Sequence, residues 1–272
     1  MSGGNELAEE KIMFKKTVFL ISLFLVPMAA TAHEDIVKLG TREGVTLNFL
    51  VSTPEASNGN ALIMFPGGDG SKQFGRKDGV IKRGNNFLVR TVPDFTKKGF
   101  FVVVVGLPSD KPYGIDDNFR TSDKHLQDIT RVVQYIVGNG YKSVFLVGTS
   151  LGTISAVYLG AALQNSAVKG IVLTSTAKYS KYLRWIPLDK TSYPVLIIHH
   201  AGDECHDTPY SEAYQLAKRY KNSSEVDFES ISGGRLPQSK ACEPLSAHGF
   251  FGIEERVVNM ISSWALKVGP HK

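Results

Sequence analysis

The chain has 272 residues, of which 42% are hydrophobic and 21% are charged, and its formal net charge is +5. This composition is typical of a globular protein with one large domain or two small ones. The basic residues are scattered among acidic ones and form no block with interleaved aromatic residues, which argues against nucleic-acid binding.

Residues 1–32 are predicted to be a secretory signal peptide. A pair of lysines precedes an apolar run from residue 17 to 30, and the small residues Ala30–Ala32 indicate cleavage before His33. The run is short for a transmembrane helix, although an uncleaved anchor stays open as an alternative. Acidic residues before Met13 are unusual in a signal peptide, which favours Met13 as the true start. We therefore expect an exported protein, periplasmic or secreted, with no stable membrane insertion after cleavage.

The rest of the chain, residues 33–272, alternates strand and helix patterns and is predicted to be a single domain. Strands are predicted at residues 35–39, 45–51, 61–65, 100–105, 143–147, 170–174, 194–200 and 225–231. Helices are predicted at residues 88–98, 121–137, 150–163 and 210–220 and from about residue 252 onwards. Continuous apolar strands between helices predict an α/β fold, with a mainly parallel central sheet and helices on both faces. The long connection at residues 71–86 is predicted to form a flap over the site.

The motif that organises the chain is Gly148-Thr149-Ser150-Leu151-Gly152. It directly follows an apolar strand, and a helical pattern begins at once after it. In this setting G-x-S-x-G is typical of a nucleophile elbow, whose sharp turn exposes the serine hydroxyl above the end of the sheet. The pentapeptide alone is a weak signal, so Ser150 as an ordinary helix N-cap stays open.

A glycine cluster, Pro66-Gly67-Gly68-Asp69-Gly70, follows the buried strand at 61–65. Ligands of open α/β sheets bind at the carboxyl ends of the strands, where such a cluster exposes backbone N–H groups. The cluster predicts an oxyanion hole made from the N–H of Gly67 or Gly68 and that of Leu151. A simple β-turn is the alternative.

The candidate acid and base follow the serine in the order Ser150, Asp203, His248. Asp203 is favoured over Glu204 and Asp207 because it lies nearest to the end of its strand. His248 is favoured as the base because it lies in a loop before the closing helix. The other histidines considered are His199, His200 and His206, which are too close to Asp203 along the chain, His125 on a helix, and His271 in the tail.

With these pieces in place, the chain resembles the α/β-hydrolases over nearly all of its mature length. The matching segments are residues 64–68, 148–152, 195–203 and 247–250. The resemblance implies the α/β-hydrolase fold, with Ser150 as nucleophile, Asp203 as the triad acid, His248 as the base, and oxyanion donors near Gly68 and Leu151. The chain departs from the family at two places. The usual His-Gly of the oxyanion strand is Pro66-Gly67 here, and the usual His-Gly of the acid strand is His199-His200.

The two cysteines, Cys205 and Cys242, lie close in sequence to the candidate acid and base. If Asp203 and His248 share a hydrogen bond, their loops must touch, and a Cys205–Cys242 disulfide is then geometrically plausible in an exported protein. Two buried free thiols are the alternative. The histidines around Cys205 also suggest a metal site, but adjacent strand residues point to opposite faces, so we predict no metal and no cofactor.

The function expected from the sequence is that of an exported serine hydrolase acting on carboxylic esters of small-molecule acyl substrates. Amides and peptides are less favoured substrates. Two alternatives stay open: a non-catalytic binding module on the same fold, and an acyltransferase that uses the same triad.

Overall fold

The computed structural model describes Met1, residues 33–163 and residues 165–269. Apart from Met1, the predicted signal peptide, with its apolar run and Met13, lies outside these residues. Within the described ranges, no helix combines the length and the apolar character that are needed to cross a bilayer.

Among the described residues, the main sheet has eight strands and a separate hairpin has two. The main strands are β1 (His33–Arg42), β2 (Val45–Thr53), β3 (Asn60–Phe65), β6 (Phe101–Pro108), β7 (Ser143–Thr149), β8 (Val168–Thr174), β9 (Val195–His200) and β10 (Val226–Ile231), and the hairpin is β4 (Phe74–Lys77) with β5 (Val80–Arg83). Their order across the main sheet is β1-β2-β6-β3-β7-β8-β9-β10. Pairing is antiparallel from β1 to β6 and parallel from β6 to β10, which confirms the predicted mainly parallel sheet.

Helices cover both faces of the sheet and divide the core into two layers. They are α1 (Phe87–Arg90), α2 (Val92–Lys97), α3 (Asp117–Arg120), α4 (Asp123–Gly138), α5 (Gly152–Ala162), α6 (Tyr210–Ala217) and α7 (Glu254–Val268). Buried side chains of α4, α5 and α6 share one layer with Ile63 and Phe65 of β3. Buried side chains of α1, α2 and α7 share the other layer with Leu62 and Met64 of β3. Each large apolar side chain buried in this way contributes about 1.5–3 kcal/mol to folding.

The departures from the sequence prediction lie in the connections. The stretch at 71–86 contains the β4–β5 hairpin, and the helix predicted at 88–98 is two short helices that meet at Thr91. Pro93 lies in the first turn of α2, where its missing N–H costs nothing, but it cannot continue the hydrogen bonds of α1. The segment between β6 and α4, for which no helix is predicted, ends in α3, which the Asp116 side chain caps by accepting from the N–H of Phe119 at 2.8 Å.

The parallel strands bring three loops to one edge of the sheet. β3, β7 and β9 end at Phe65, Thr149 and His200, and they run in the same direction. The residues that follow these strand ends, among them Gly67, Ser150 and Asp203, are therefore all placed at the carboxyl edge.

Candidate active site

Ser150 occupies a sharp turn between β7 and α5. Its φ of 53° lies in the left-handed region, which a residue with a side chain adopts rarely and at a cost of order 1–3 kcal/mol. The backbone N–H of Ser150 donates to the carbonyl of Thr174 at 3.0 Å, and the carbonyl of Ser150 accepts from Thr153. These bonds hold the turn in the strand–turn–helix geometry of a nucleophile elbow.

Three glycines around the elbow are required by close packing. A Cβ at Gly148 would lie 2.7 Å from the carbonyl oxygen of Gly152, and a Cβ at Gly152 would lie 2.0 Å from that of Phe65. A Cβ at Gly67 would lie 2.8 Å from the Cβ of Ser150. The strand end at Phe65, the loop that follows it and the first turn of α5 therefore meet without room for another carbon atom.

We expect Gly152→Ala to lower the free energy of unfolding by about 3 kcal/mol, since its methyl group would be forced against a backbone carbonyl that cannot rotate away. Urea unfolding of the purified variant measures this. Gly138→Ala, at the end of α4, is the matched control, because a Cβ there meets nothing within 4 Å. An unchanged unfolding midpoint for Gly152→Ala would contradict the steric explanation.

Asp203 and His248 form a buried pair. Asp203 Oδ2 lies 3.0 Å from His248 Nδ1, and the exposed fractions of the two side chains are 0% and 6%. Asp203 Oδ1 accepts from the backbone N–H of Cys205 at 2.9 Å. His248 lies in a short helical turn that Ser246 caps by accepting from the N–H of His248 at 3.2 Å. Asp203 and His248 are thus each fixed by a hydrogen bond that involves backbone as well as by one another.

The rival acids are placed differently. Asp207 accepts from the hydroxyl of Tyr182 at 2.8 Å and lies 3.5 Å from the ammonium of Lys181. Glu204 is exposed to solvent. Of the three candidate acids, the structure brings Asp203 to His248.

The rival bases also have other surroundings. His125 is buried between Phe65 and Phe119, and burial together with the charge of Arg120 lowers the pKa of its imidazole to about 3. His200 Nε2 lies 2.9 Å from the carbonyl of Gly233, and His206 is exposed. His271 lies outside the described residues.

Two further residues, Thr208 and His199, contact the pair, although no motif of the sequence assigns either of them a role there. Thr208 Oγ1 donates to Asp203 Oδ2 at 2.9 Å and lies 3.1 Å from His248 Nδ1. His199, a less favoured candidate for the base, also lies near this carboxylate: its Nε2 is 3.5 Å from Asp203 Oδ2 and 3.0 Å from the carbonyl of Thr208. The carbonyl can only accept, so Nε2 carries the proton.

Burial opposes ionisation of Asp203, but the hydrogen bonds from His199 and His248 outweigh it and hold the pKa of this carboxyl well below its ordinary value. An ionised Asp203 favours the His248 tautomer with its proton on Nδ1. In that tautomer Nε2 is free to accept a proton, as a general base requires.

A cavity of about 230 Å³ lies beside these groups. Ser150, His248, Gly67, Gly68 and Cys242 are among the residues that line it. Lys72, Gln73, Asn85 and Asn86, from the connection predicted to be a flap, line it as well. Leu151 is not among the lining residues, and its backbone begins the turn into α5 directly after Ser150.

Cys205 and Cys242 form a disulfide that joins the loop of Asp203 to the loop of His248, with a Cα–Cα distance of 4.5 Å. Cys205 is buried, and Cys242 is exposed at the cavity.

His206 lies next to the disulfide, with its Nδ1 3.6 Å from Cys242 Sγ. The ligand atoms of Cys205, His206 and Cys242 are close enough together to share a metal ion. Zinc binds cysteine as the thiolate, and here both sulfurs are joined in the disulfide.

No protein-family model and no curated protein sequence matches the chain, whereas many solved structures do. An alpha-beta serine hydrolase homologue from Coxiella burnetii aligns with a TM-score of 0.56 and 15% identity, over 87% of this chain and 97% of that chain. A serine hydrolase without lid from Xanthomonas campestris aligns with a TM-score of 0.56 and 16% identity, over 84% of this chain and 94% of that chain. An esterase from Pyrococcus furiosus aligns with a TM-score of 0.57 and 13% identity, over 87% of this chain and 91% of that chain. Together with the sheet order and pairing, these similarities show that the chain has the α/β-hydrolase fold.

Proposed function

We propose that the protein is a serine hydrolase that cleaves carboxylic esters through Ser150, His248 and Asp203. The observation that supports this proposal is the buried Asp203–His248 pair, whose histidine lines the same cavity as Ser150 in its strained turn. The solved structures with the same fold include proteins described as serine hydrolases and esterases, which supports the proposal.

In the proposed reaction, the hydroxyl of Ser150 attacks the ester carbonyl while His248 Nε2 takes its proton. Asp203 holds the other ring nitrogen and stabilises the imidazolium that forms. His248 then gives the proton to the leaving alcohol, and an acyl-serine remains. A water molecule, deprotonated by the same nitrogen, attacks the acyl group and releases the carboxylic acid and free Ser150.

The negative oxygen that forms at each tetrahedral intermediate needs donors at fixed positions. We assign this role to the N–H of Gly67 or Gly68 and to the N–H of Leu151. Gly67 lies against Ser150, and Leu151 follows it at the beginning of α5. Both donors belong to backbone, so they need no rearrangement as the charge develops.

The size of the cavity favours short acyl groups. Pockets for drug-sized ligands run to about 300–1,000 Å³, and this cavity is smaller, at about 230 Å³. We therefore assign small, water-soluble esters as the substrate class. The mechanism requires no cofactor.

We also propose that the protein is exported. The disulfide supports this, because disulfides form and persist in oxidising compartments such as the periplasm and the extracellular space. The predicted signal peptide at residues 1–32 is the second reason.

A fluorophosphonate probe tests the proposed chemistry, because it reacts covalently with an activated serine. We expect stoichiometric labelling of the folded protein, mapped by mass spectrometry to Ser150, and no labelling of Ser150→Ala. Turnover of p-nitrophenyl esters should fall as the acyl chain lengthens from acetate to octanoate. A folded protein that resists the probe and hydrolyses none of these esters would exclude the proposal.

A further inference from the structure

Arg120, the last residue of α3, is the most unusual buried charge among the described residues. Only 2% of it is exposed, and it lies at the carboxyl edge of the sheet, beneath the loop that follows β3. Burying a guanidinium is costly unless it is paired and fully hydrogen-bonded. A buried arginine is therefore expected to have a partner that repays this cost.

Among the described residues, no carboxylate lies within ion-pairing distance of Arg120, and its Nε has no hydrogen-bond partner. Its other two nitrogens bind elements of the candidate site instead. Nη2 donates to the carbonyl of Gly68 at 2.9 Å and to that of Pro66 at 3.4 Å. Nη1 donates to the hydroxyl of Ser155 at 3.0 Å.

These bonds connect the two segments that supply the proposed oxyanion donors. Gly67 and Gly68 belong to the loop after β3, whereas Ser155 lies on α5, the helix that begins after Leu151. One rigid, planar guanidinium therefore spans both segments. A lysine ammonium is a single point on a flexible stem and cannot hold two segments in a fixed relative position.

The hydrogen bond from Arg120 to the carbonyl of Pro66 also orients the N–H of the next residue. In a trans peptide, the carbonyl and the N–H of the same unit point to opposite sides, and the described residues contain no cis peptide. The carbonyl of Pro66 shares its peptide unit with the N–H of Gly67. Because the Pro66 carbonyl points towards Arg120, the N–H of Gly67 points away from Arg120. The loop packs against Ser150 through Gly67.

We propose that Arg120 is a positioning residue of the oxyanion hole, whose guanidinium fixes the loop after β3 against α5 so that backbone donors from both segments meet at one oxygen. This inference rests on the proposed hydrolase function. This positioning role explains why a cation that is costly to bury lies between the loop after β3 and α5. Burial lowers the pKa of Arg120 to about 10, so the side chain stays protonated at neutral pH.

The test compares Arg120→Met and Arg120→Lys with the wild type in ester hydrolysis. We expect kcat to fall about 10²–10³-fold in Arg120→Met, the loss seen when one oxyanion donor is removed, with little change in KM. Affinity for a trifluoromethyl ketone, which forms a tetrahedral adduct with the serine, should fall by a similar factor. Arg120→Lys should recover only a small part of this loss.

A second variant keeps the inference falsifiable if Arg120→Met does not fold. Ser155→Ala removes the anchor on α5 and keeps the arginine, and it should lower kcat without raising KM. Arg42→Lys is the matched control, because Arg42 is also largely buried but pairs with Asp110 and Asp128. It should change stability and leave affinity for the ketone unaltered.

The outcomes separate the two proposals. If the wild type hydrolyses esters and reacts with the fluorophosphonate, but folded Arg120 and Ser155 variants keep kcat and ketone affinity within threefold, the inference about Arg120 is wrong. A rise in KM with unchanged kcat would also overturn it, since that would indicate a role in ground-state binding. A wild type that neither hydrolyses esters nor reacts with the probe overturns the proposed function, and this inference with it.

Discussion

Replacing Asp203 with asparagine should lower kcat for ester hydrolysis by about 10⁴-fold while the protein stays folded, the size of effect known for the corresponding change in a serine protease. The reason lies in the hydrogen bonds of the carboxylate. Asp203 Oδ1 accepts from the N–H of Cys205, and Oδ2 faces His248 Nδ1. An asparagine must keep its carbonyl oxygen towards the N–H of Cys205. In the opposite orientation its NH₂ group would face this N–H, and both groups are donors.

The asparagine NH₂ group then points at His248 Nδ1. That nitrogen must become the acceptor, so the single proton of the neutral imidazole moves to Nε2. In the proposed mechanism Nε2 takes the proton of Ser150, and in this tautomer it cannot do so. The variant should therefore react slowly with the fluorophosphonate as well, although Ser150 itself is unchanged.

Asp207→Asn is the matched control, since Asp207 lies on the same loop and was a rival candidate for the acid. It accepts from Tyr182 and lies near Lys181, away from His248. We expect its kcat to stay within about threefold of the wild type. If Asp203→Asn kept more than a tenth of wild-type kcat, or if Asp207→Asn lost as much, the assignment of Asp203 would be wrong.

The same variant should change how stability depends on pH. Hydrogen bonds hold the pKa of Asp203 in the folded protein below its ordinary value of 3.8, so its ionised form stabilises the fold at higher pH. This contribution is fully present above the unfolded-state pKa and is lost as pH falls towards the folded-state value. Urea unfolding should therefore show a smaller loss of stability between pH 5 and pH 3 in Asp203→Asn than in the wild type.

The sequence predicts the strands and the sharp turn after β7 well because both depend on local chemistry. Continuous apolar runs such as residues 61–65 have to be covered on both faces, and that requires a parallel sheet with helices on each side. At Gly148 and Gly152 the chain has no room for a side chain, so the glycine spacing marks the turn itself. The order of Ser150, Asp203 and His248 then indicates which strand ends supply the candidate site.

The residues that escaped prediction act through contacts between distant segments. Thr208 contacts Asp203 and His248 because the loop after β9 folds back, and no motif marks its position. Arg120 reaches Gly68, 52 residues away in the chain, and its own neighbours look like an ordinary loop. The hairpin of β4 and β5 was missed because its short strands are polar and largely exposed, so they lack a hydrophobic pattern.

Removing the disulfide should have the largest effect on stability. The bond closes a loop between residues 37 positions apart, and the chain-entropy relation gives about 4 kcal/mol for a loop of this length. We expect the double variant Cys205→Ser/Cys242→Ser to lose about this much free energy of unfolding. Urea unfolding of the variant and of the oxidised wild type measures the difference.

The disulfide should also affect activity, because each cysteine contacts part of the candidate site. The N–H of Cys205 donates to Asp203, and Cys242 lines the cavity beside His248. Without the covalent bond, the loops of Asp203 and His248 are held together by the hydrogen bond between these two residues and by its neighbours. We expect kcat in the double variant to fall by about tenfold, equivalent to about 1.4 kcal/mol of transition-state stabilisation, with a smaller change in KM.

Reduction of the wild type provides the control for this prediction. Cys242 is exposed, so dithiothreitol can attack its sulfur, and the reduced protein should lose stability and activity to the level of the double variant. The double variant has no sulfur to reduce, so the same treatment should leave it unchanged. Two free thiols in the native, unreduced protein would contradict the disulfide. Equal activity in the oxidised and reduced wild type would show that the Asp203–His248 contact holds the two loops in register without the covalent bond.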